Sequence, residues 1–498
     1  MVRQLIFTYC ILVVFSSLVS NSIAADARAA DNIASDTSQT NGQRPNIVLI
    51  MVDDMGYGDT GCYNPESKIP TPNFDSLARD GMRFTDAHAP GPLCHLSRYG
   101  LLTGRYPFRA EVRKWPRQAV IEPGQTTLAT MLRDAGYTTS MVGKWHLGFN
   151  EDGYDQPLPG GPVDCGFDSF FGIRASTDIP PYFYIRNDRA VAPPTNLIDE
   201  NHTEGWSPIQ GKFWRAGGIA PNLNLQDVLP RFTDEAIQII NEKSKSESGQ
   251  PFFLYLAYPA PHTPWLPSER FVGSTKVGLY GDFMSMVDHM VGRVLGALES
   301  NGVADETLVI VTSDNGPVWY AEDSKRFAHD SVGGLRGMKA DAWEGGHRMP
   351  FLVRWPGNVK SDSVSSQLIC FTDVLATLAE LVDMTLGEQA APDSFSFLKT
   401  LLQKDDPSAR QSLAMQTGSG LWTIRVGSWK LITGLGSGGF SKPSRIKATP
   451  DGPQGQLYHL SRDQSETENL YLQEAGKVSE LTAELERIRS APITRPVD

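Results

Sequence analysis

Short, uninterrupted apolar runs recur along the chain, and each stops abruptly at polar residues. The run Asn46-Ile47-Val48-Leu49-Ile50-Met51-Val52 ends at Asp53-Asp54, and residues 138–142 lead into Gly143-Lys144-Trp145-His146. Residues 252–257 precede Pro261-His262, and residues 307–312 precede Ser313-Asp314-Asn315-Gly316. Runs of this length without polar alternation predict strands buried on both faces of a parallel sheet. Helical spacing fills the intervals, over 73–80 closing at Gly81 and over 127–135 closing at Gly136. Strands alternating with helices predict an α/β domain with a mixed, mostly parallel sheet flanked by helices. Ligands in such sheets gather beyond the carboxyl ends of the strands. The four polar segments are therefore expected to meet in one crevice.

Elsewhere the pattern changes. Residues 149–250 are rich in Pro, Gly, aromatic and charged residues, which predicts long loops over the sheet edge, where recognition usually resides. Beyond Met384 come short strands near 423–426 and 429–433 and a charged helix over 477–488, read as a small C-terminal α+β domain with an antiparallel sheet. At the other end, Met1-Val2-Arg3, an apolar stretch over 5–19 and small residues up to Ala24-Ala25 form the three-part pattern of a secretory signal. A membrane anchor is the alternative, against which the stretch is shorter than the ~20 residues a span requires. The expected organisation is a signal at 1–25, a polar leader at 26–44, the large domain at 45–384 and the small one at 385–498. The mature protein would be secreted or periplasmic, with no transmembrane segment after signal removal.

Charge and cysteine content narrow the chemistry. With 45 basic and 57 acidic residues the net charge is −12, which gives no support to nucleic-acid binding, so any anion must be held by a local site. Of five cysteines, Cys10 leaves with the signal, and Cys62, Cys94, Cys165 and Cys370 are too scattered for a disulfide framework or a zinc site. Cys94 opens a predicted helix with Arg98 one turn on, which reads either as a reactive sulfur beside a cation and a helix N-terminus or as a buried structural cysteine. Asp53, Asp54 and Asp59 crowd a buried strand's end, where adjacent carboxylates repel unless a cation neutralises them; a solvated turn is the other reading. Lys144 and His146, two apart beyond a strand end, can both face the crevice. A surface lysine and a packed histidine are the plainer alternatives.

The segment Cys94-His95-Leu96-Ser97-Arg98-Tyr99-Gly100-Leu101-Leu102-Thr103-Gly104-Arg105 resembles the signature of the type I, formylglycine-dependent sulfatases of the alkaline-phosphatase-like superfamily. Residues 101–105 match throughout, whereas Leu96 stands where the family has Pro or, less often, Ala. The segments at 53–59, 143–148, 261–264, 313–316 and 335–350 are similar to further signatures of the family. The resemblance implies a secreted arylsulfatase-type or carbohydrate sulfatase, a hydrolase of sulfuric esters. It also implies formylglycine made from Cys94 by a maturation enzyme and one Ca2+ per chain at Asp53, Asp54, Asp314 and Asn315, with residue 94 completing the shell. Arg98, Lys144, His146, His262 and Lys339 join Cys94 as the implied catalytic set. Lys144, His262 and Lys339 would bind the sulfate group; His347 falls at a variable position and receives no role. The loop at 176–184 offers Asp178 and Tyr182 as contacts to a sulfated sugar, with Trp206 and Trp214 nearby; aromatic packing that anchors the loop is the alternative. Two rival functions remain open: a binding-only protein for sulfated glycans if Cys94 is not converted, and a phosphoester or phosphonate hydrolase of the same superfamily.

Overall fold

A computed structural model describes residues 44–246, 249–404 and 409–496. The signal and almost all of the leader expected from the sequence lie outside the described residues. The chain from Pro45 onward forms one compact unit.

Its first half contains β1 (Asn46–Asp53), α1 (Pro72–Arg79), β2 (Met82–His88), α2 (Cys94–Thr103), α3 (Leu128–Asp134), β3 (Thr138–Lys144) and β4 (Ser169–Ile173). Four short strands follow: β5 (Ile185–Arg186), β6 (Arg189–Ala190), β7 (Asn196–Ile198) and β8 (Gly217–Ile219). After them come α4 (Val228–Lys243), β9 (Phe252–Pro261), α5 (Gly278–Ser300), β10 (Thr307–Ser313), α6 (Ala321–Phe327) and β11 (Arg348–Arg354). The remainder holds β12 (Ser363–Ser365), β13 (Ile369–Cys370), α7 (Asp373–Leu381), α8 (Leu398–Leu401), β14 (Ser412–Gln416), β15 (Trp422–Val426), β16 (Trp429–Ile432), β17 (Gln456–His459) and α9 (Ala475–Ser490).

The large sheet has eleven strands in the order β12-β2-β11-β10-β1-β9-β3-β4-β5-β6, with β13 also on β2. The four apolar runs read from the sequence are the adjacent strands β10, β1, β9 and β3, paired in parallel throughout. Every residue of β9 and β10 is buried, as is all of β1 after Asn46. Because these strands run side by side in one direction, their carboxyl ends lie along one edge. Helices α4 and α5 pack on each other and on β9, while α3 packs on β3 and groups with α2 and α7. At Gly143, φ is 115° and an added Cβ would stand 1.9 Å from the Ala257 carbonyl oxygen, so only glycine lets β3 approach β9 here.

One expectation needs correction, and one feature fills in the mixed, mostly parallel sheet that the sequence predicts. The stretch 149–250 is not loop alone: it supplies β4 to the central sheet and the sixteen-residue helix α4. The sheet also carries β2 and β11 as an antiparallel pair on its β10 side, a part of the fold the apolar runs did not signal.

The small sheet is antiparallel in the order β14-β15-β16-β17 and is covered by α9, which buries Leu481, Leu485 and Ile488 against Leu413, Ile424, Leu431 and Leu457. A buried ionic network joins the two sheets. Lys430 Nζ lies 2.9 Å from both Glu344 and Glu466, and Arg425 is paired with Asp86 at the end of β2. Burying such charges is costly unless each finds partners, and here they do.

Candidate active site

Asp53 closes β1 and Asp54 follows it with φ of 65°, a left-handed turn that lets adjacent carboxylates face the same crevice. The loop after them is clamped from behind. Asp59 Oδ2 accepts from the Gly56 N–H at 2.6 Å and from the Tyr280 hydroxyl at 2.5 Å, and His329 Nε2 lies 2.9 Å from Asp59 Oδ1. Asp59, the third carboxylate of this acidic stretch, is therefore spent on holding the loop. Asp314 and Asn315 leave the end of β10 beside β1, and the Asp54 N–H approaches Asp314 Oδ1 at 3.3 Å.

Three cations interleave with these carboxylates. Arg98, one turn into α2 and fully buried, donates to Asp314 Oδ2 from Nε at 3.0 Å and Nη2 at 2.8 Å, and to the Lys144 carbonyl at 3.1 Å. Lys144, the last residue of β3, reaches Asp53 Oδ2 at 2.5 Å, and Lys339 reaches Asp54 Oδ1 at 2.6 Å. Cys94 Sγ lies 3.5 Å from Asp53 Oδ1. His262, on the turn after β9, places Nε2 at 3.7 Å from Asp54 Oδ2, while its Nδ1 sits 2.6 Å from the Thr263 carbonyl oxygen. His146 is buried, in left-handed backbone at φ 60°, with no partner for Nδ1 among the described residues. All four segments expected from the sequence thus converge.

Electrostatics follow from burial and crowding. Burial pushes the Asp53 carboxyl up, but Lys144, His262 and Arg98 together hold it well below the usual carboxylate range. Burial raises Asp54, and burial followed by repulsion from Asp53 pushes Asp314 up to about 6. Among the histidines, burial and Lys339 bring His262 down to about 4, and burial and Lys144 hold His146 far below its ordinary value. Burial and Asp314 push the Cys94 thiol up, and Arg98, one turn along the helix, is committed to Asp314.

Asp53, Asp54, Cys94 and His262 each present a ligand atom within 4.8 Å of the others. Asn315 adds a buried Oδ1 with no hydrogen-bond partner among the described residues, its Nδ2 being engaged with Asp54 Oδ1 at 2.6 Å. Raised carboxylates and an unpaired amide oxygen fit a hard divalent cation. A second grouping, His88, Glu344 and His347, is filled by the Lys430 ammonium, 2.9 Å from Glu344 and 3.2 Å from His347.

The two proposed sugar contacts part company. Asp178 follows β4 and is buried, with Oδ2 held by Arg215 at 2.5 Å and Oδ1, without a hydrogen-bond partner among the described residues, 3.9 Å from His262 Nδ1. Tyr182 does not join the site: its ring is buried and its hydroxyl donates to the Arg215 carbonyl at 2.8 Å, so it anchors the loop. Trp206 packs on Trp265 and Phe327, and Trp214 donates to the Asp199 carbonyl. Ser176, two residues before Asp178, has a buried hydroxyl without a partner that sequence reading did not single out.

Comparison with known proteins agrees with this geometry. A family model described as sulfatase matches residues 45–384. The chain is 34% identical to N-acetylgalactosamine-6-O-sulfatase of Bacteroides thetaiotaomicron, over 90% of this chain and 94% of that protein. It is 33% identical to human arylsulfatase A, over 89% and 87% respectively. A solved Bacteroides thetaiotaomicron sulfatase structure, described with the metabolism of multiple glycosaminoglycans, superimposes with a TM-score of 0.77 at 32% identity, covering 90% of this chain and all of that one.

Proposed function

The chain belongs to the sulfatase family, and from that premise we propose that it hydrolyses sulfate monoesters on sugars derived from sulfated polysaccharides, outside the cytoplasm. The observation that carries the reading is the convergence of Asp53, Asp54 and Asp314 with Arg98, Lys144 and Lys339 around Cys94. Likeness to enzymes named for N-acetylgalactosamine 6-sulfate supports a sulfated amino sugar as the substrate class.

Asp53, Asp54, Asp314 and Asn315 would hold calcium, which would supply charge to the ester's sulfate oxygens, while formylglycine made from Cys94 would supply a hydroxyl nucleophile. Lys144 and Lys339 bind and offset the anionic group in a site from which water is excluded, where fixed charges act most strongly. Arg98 keeps Asp314 in place. His262, with Nδ1 turned to the Thr263 carbonyl, presents Nε2 to the site and carries the proton for the departing alcohol oxygen. Its low proton affinity suits release, and the arriving anion favours loading. His146, neutral and unpartnered at Nδ1, is the base that takes a proton from residue 94.

Leu96, the departure from the family pattern, occupies the first turn of α2, where its N–H bonds the Leu93 carbonyl at 3.0 Å. Proline and leucine are both compatible with a helical first turn. The phosphoester alternative requires a second set of metal ligands. Among the described residues the other candidate grouping is filled by Lys430. The test is a parallel assay of N-acetylgalactosamine 6-sulfate and 4-nitrophenyl phosphate: sulfate release alone supports the proposal, and phosphate release alone would overturn it.

A further inference from the structure

A cleft of about 460 Å³ opens beside the start of α2, within the ~300–1,000 Å³ typical of small-ligand sites. One wall is His95 and Leu96, a second is the segment 107–115 ending at Trp115, and the third is the turn between β14 and β15 around Thr417 and Gly418. None of the three carboxylates or three cations of the catalytic cluster lines it. It is therefore shaped for some part of a ligand other than the sulfate group.

Trp115 connects this cleft to the catalytic cluster. Its ring stacks on His95 at 5.2 Å and 8° and lies 4.5 Å from the ring of His146. The two imidazoles are 6.4 Å apart, too close to sandwich the indole between them, and Trp115 also lines the cleft. A tryptophan buried purely for packing normally satisfies its N–H. Trp115 Nε1 has no hydrogen-bond partner among the described residues, so packing and stacking hold the ring. Exposed Glu111 and Arg113 stand at the rim.

We propose that this cleft is a subsite for the pyranose ring next to the sulfated sugar, with Trp115 as its stacking platform and the turn at Thr417 and Gly418 as its far wall. The proposal rests on the saccharide reading above and extends it. An indole face matches the apolar C–H face of a pyranose, while Gln416 offers a side-chain amide at the opposite side. His146 places the platform within one ring of the catalytic cluster, so a chain bound at both places presents its sulfate to Lys144 and Lys339. The small C-terminal sheet thereby helps select chain length.

The experiment compares kcat/KM for a 6-sulfated N-acetylgalactosamine and for a disaccharide containing it, using calcium-saturated full-length enzyme. Wild type is expected to favour the disaccharide by about tenfold or more, through KM, as truncation data for buried aromatic anchors imply. Trp115→Ala should bring that ratio to within about twofold of unity. Ala110→Trp, which fills the cleft from its rim, should do the same by obstruction and serves if Trp115→Ala fails to fold. A wild-type ratio near unity, or a ratio that survives in the folded variants, overturns the subsite while leaving the saccharide reading intact. Hydrolysis of another sulfate ester but of neither sugar overturns both.

Discussion

Replacing Arg98 tests the electrostatic framework most severely. Its guanidinium is fully buried and makes three hydrogen bonds, two to Asp314 Oδ2 and one to the Lys144 carbonyl. Asp314 has no exposed surface, so Arg98→Ala leaves a buried carboxylate without the cation that pairs it. Breaking a buried pair from one side typically costs about 3–5 kcal/mol. Because Asp314 already titrates near 6, losing Arg98 would raise it further, and protonation near neutrality would relieve part of the strain. The lower end of that range, about 3 kcal/mol, is therefore expected at pH 7. Arg98→Lys retains the charge but not the planar fork, and loss of one charge-assisted bond costs about 1.5–3 kcal/mol. Equilibrium urea unfolding followed by tryptophan fluorescence, with sulfate-release rates on the same preparations, would measure both. A loss below about 1 kcal/mol for Arg98→Ala would refute the claim that this pair anchors the cluster.

Three further outcomes are expected. His262→Ala should lower turnover by roughly 10²–10⁴-fold with an unchanged circular dichroism spectrum; near-normal turnover would remove it from the proton-transfer role. Exhaustive EDTA dialysis should abolish sulfate release and added calcium should restore it, whereas full activity after dialysis would exclude the ion. The ionic network predicts a pH effect on stability. Burial, opposed by Lys430, pushes Glu466 up to about 7 from an ordinary value of 4.5, so the folded chain binds more protons than the unfolded one between those values. Glu466 then contributes stability at low pH that is lost as pH rises through about 7. Glu466→Gln, a fixed mimic of the protonated form, should gain stability relative to wild type as pH rises from 5 to 8; parallel urea midpoints would contradict this.

The site was legible in the sequence because β1, β3, β9 and β10 are buried on both faces, which forces apolar runs that stop where polar residues enter the crevice. Strand β2 was not legible: Arg83, Thr85 and Asp86 interrupt its apolar pattern, and its pairing with β11 is set by tertiary contact. Helix α4 was hidden by Pro230 in its first turn and by the Pro- and Gly-rich composition of the chain before it. For a related reason the sequence left the setting of the Cys94 sulfur open between a reactive and a structural cysteine. Arg98 lies four residues away, but its partner Asp314 lies 216 residues beyond it, and only the fold reveals that the cation is already engaged. Likewise Glu344, Lys430 and Glu466 carry no local signal of the cage they form.

The central claim is that residue 94 acts through oxygen and not sulfur. Trypsin should release residues 84–98 as one peptide, since no Lys or Arg lies between Arg83 and Arg98. Mass spectrometry of that peptide from protein made in its native host should find it about 18 Da lighter than the cysteine form. A peptide of unmodified mass from catalytically active enzyme would contradict the account.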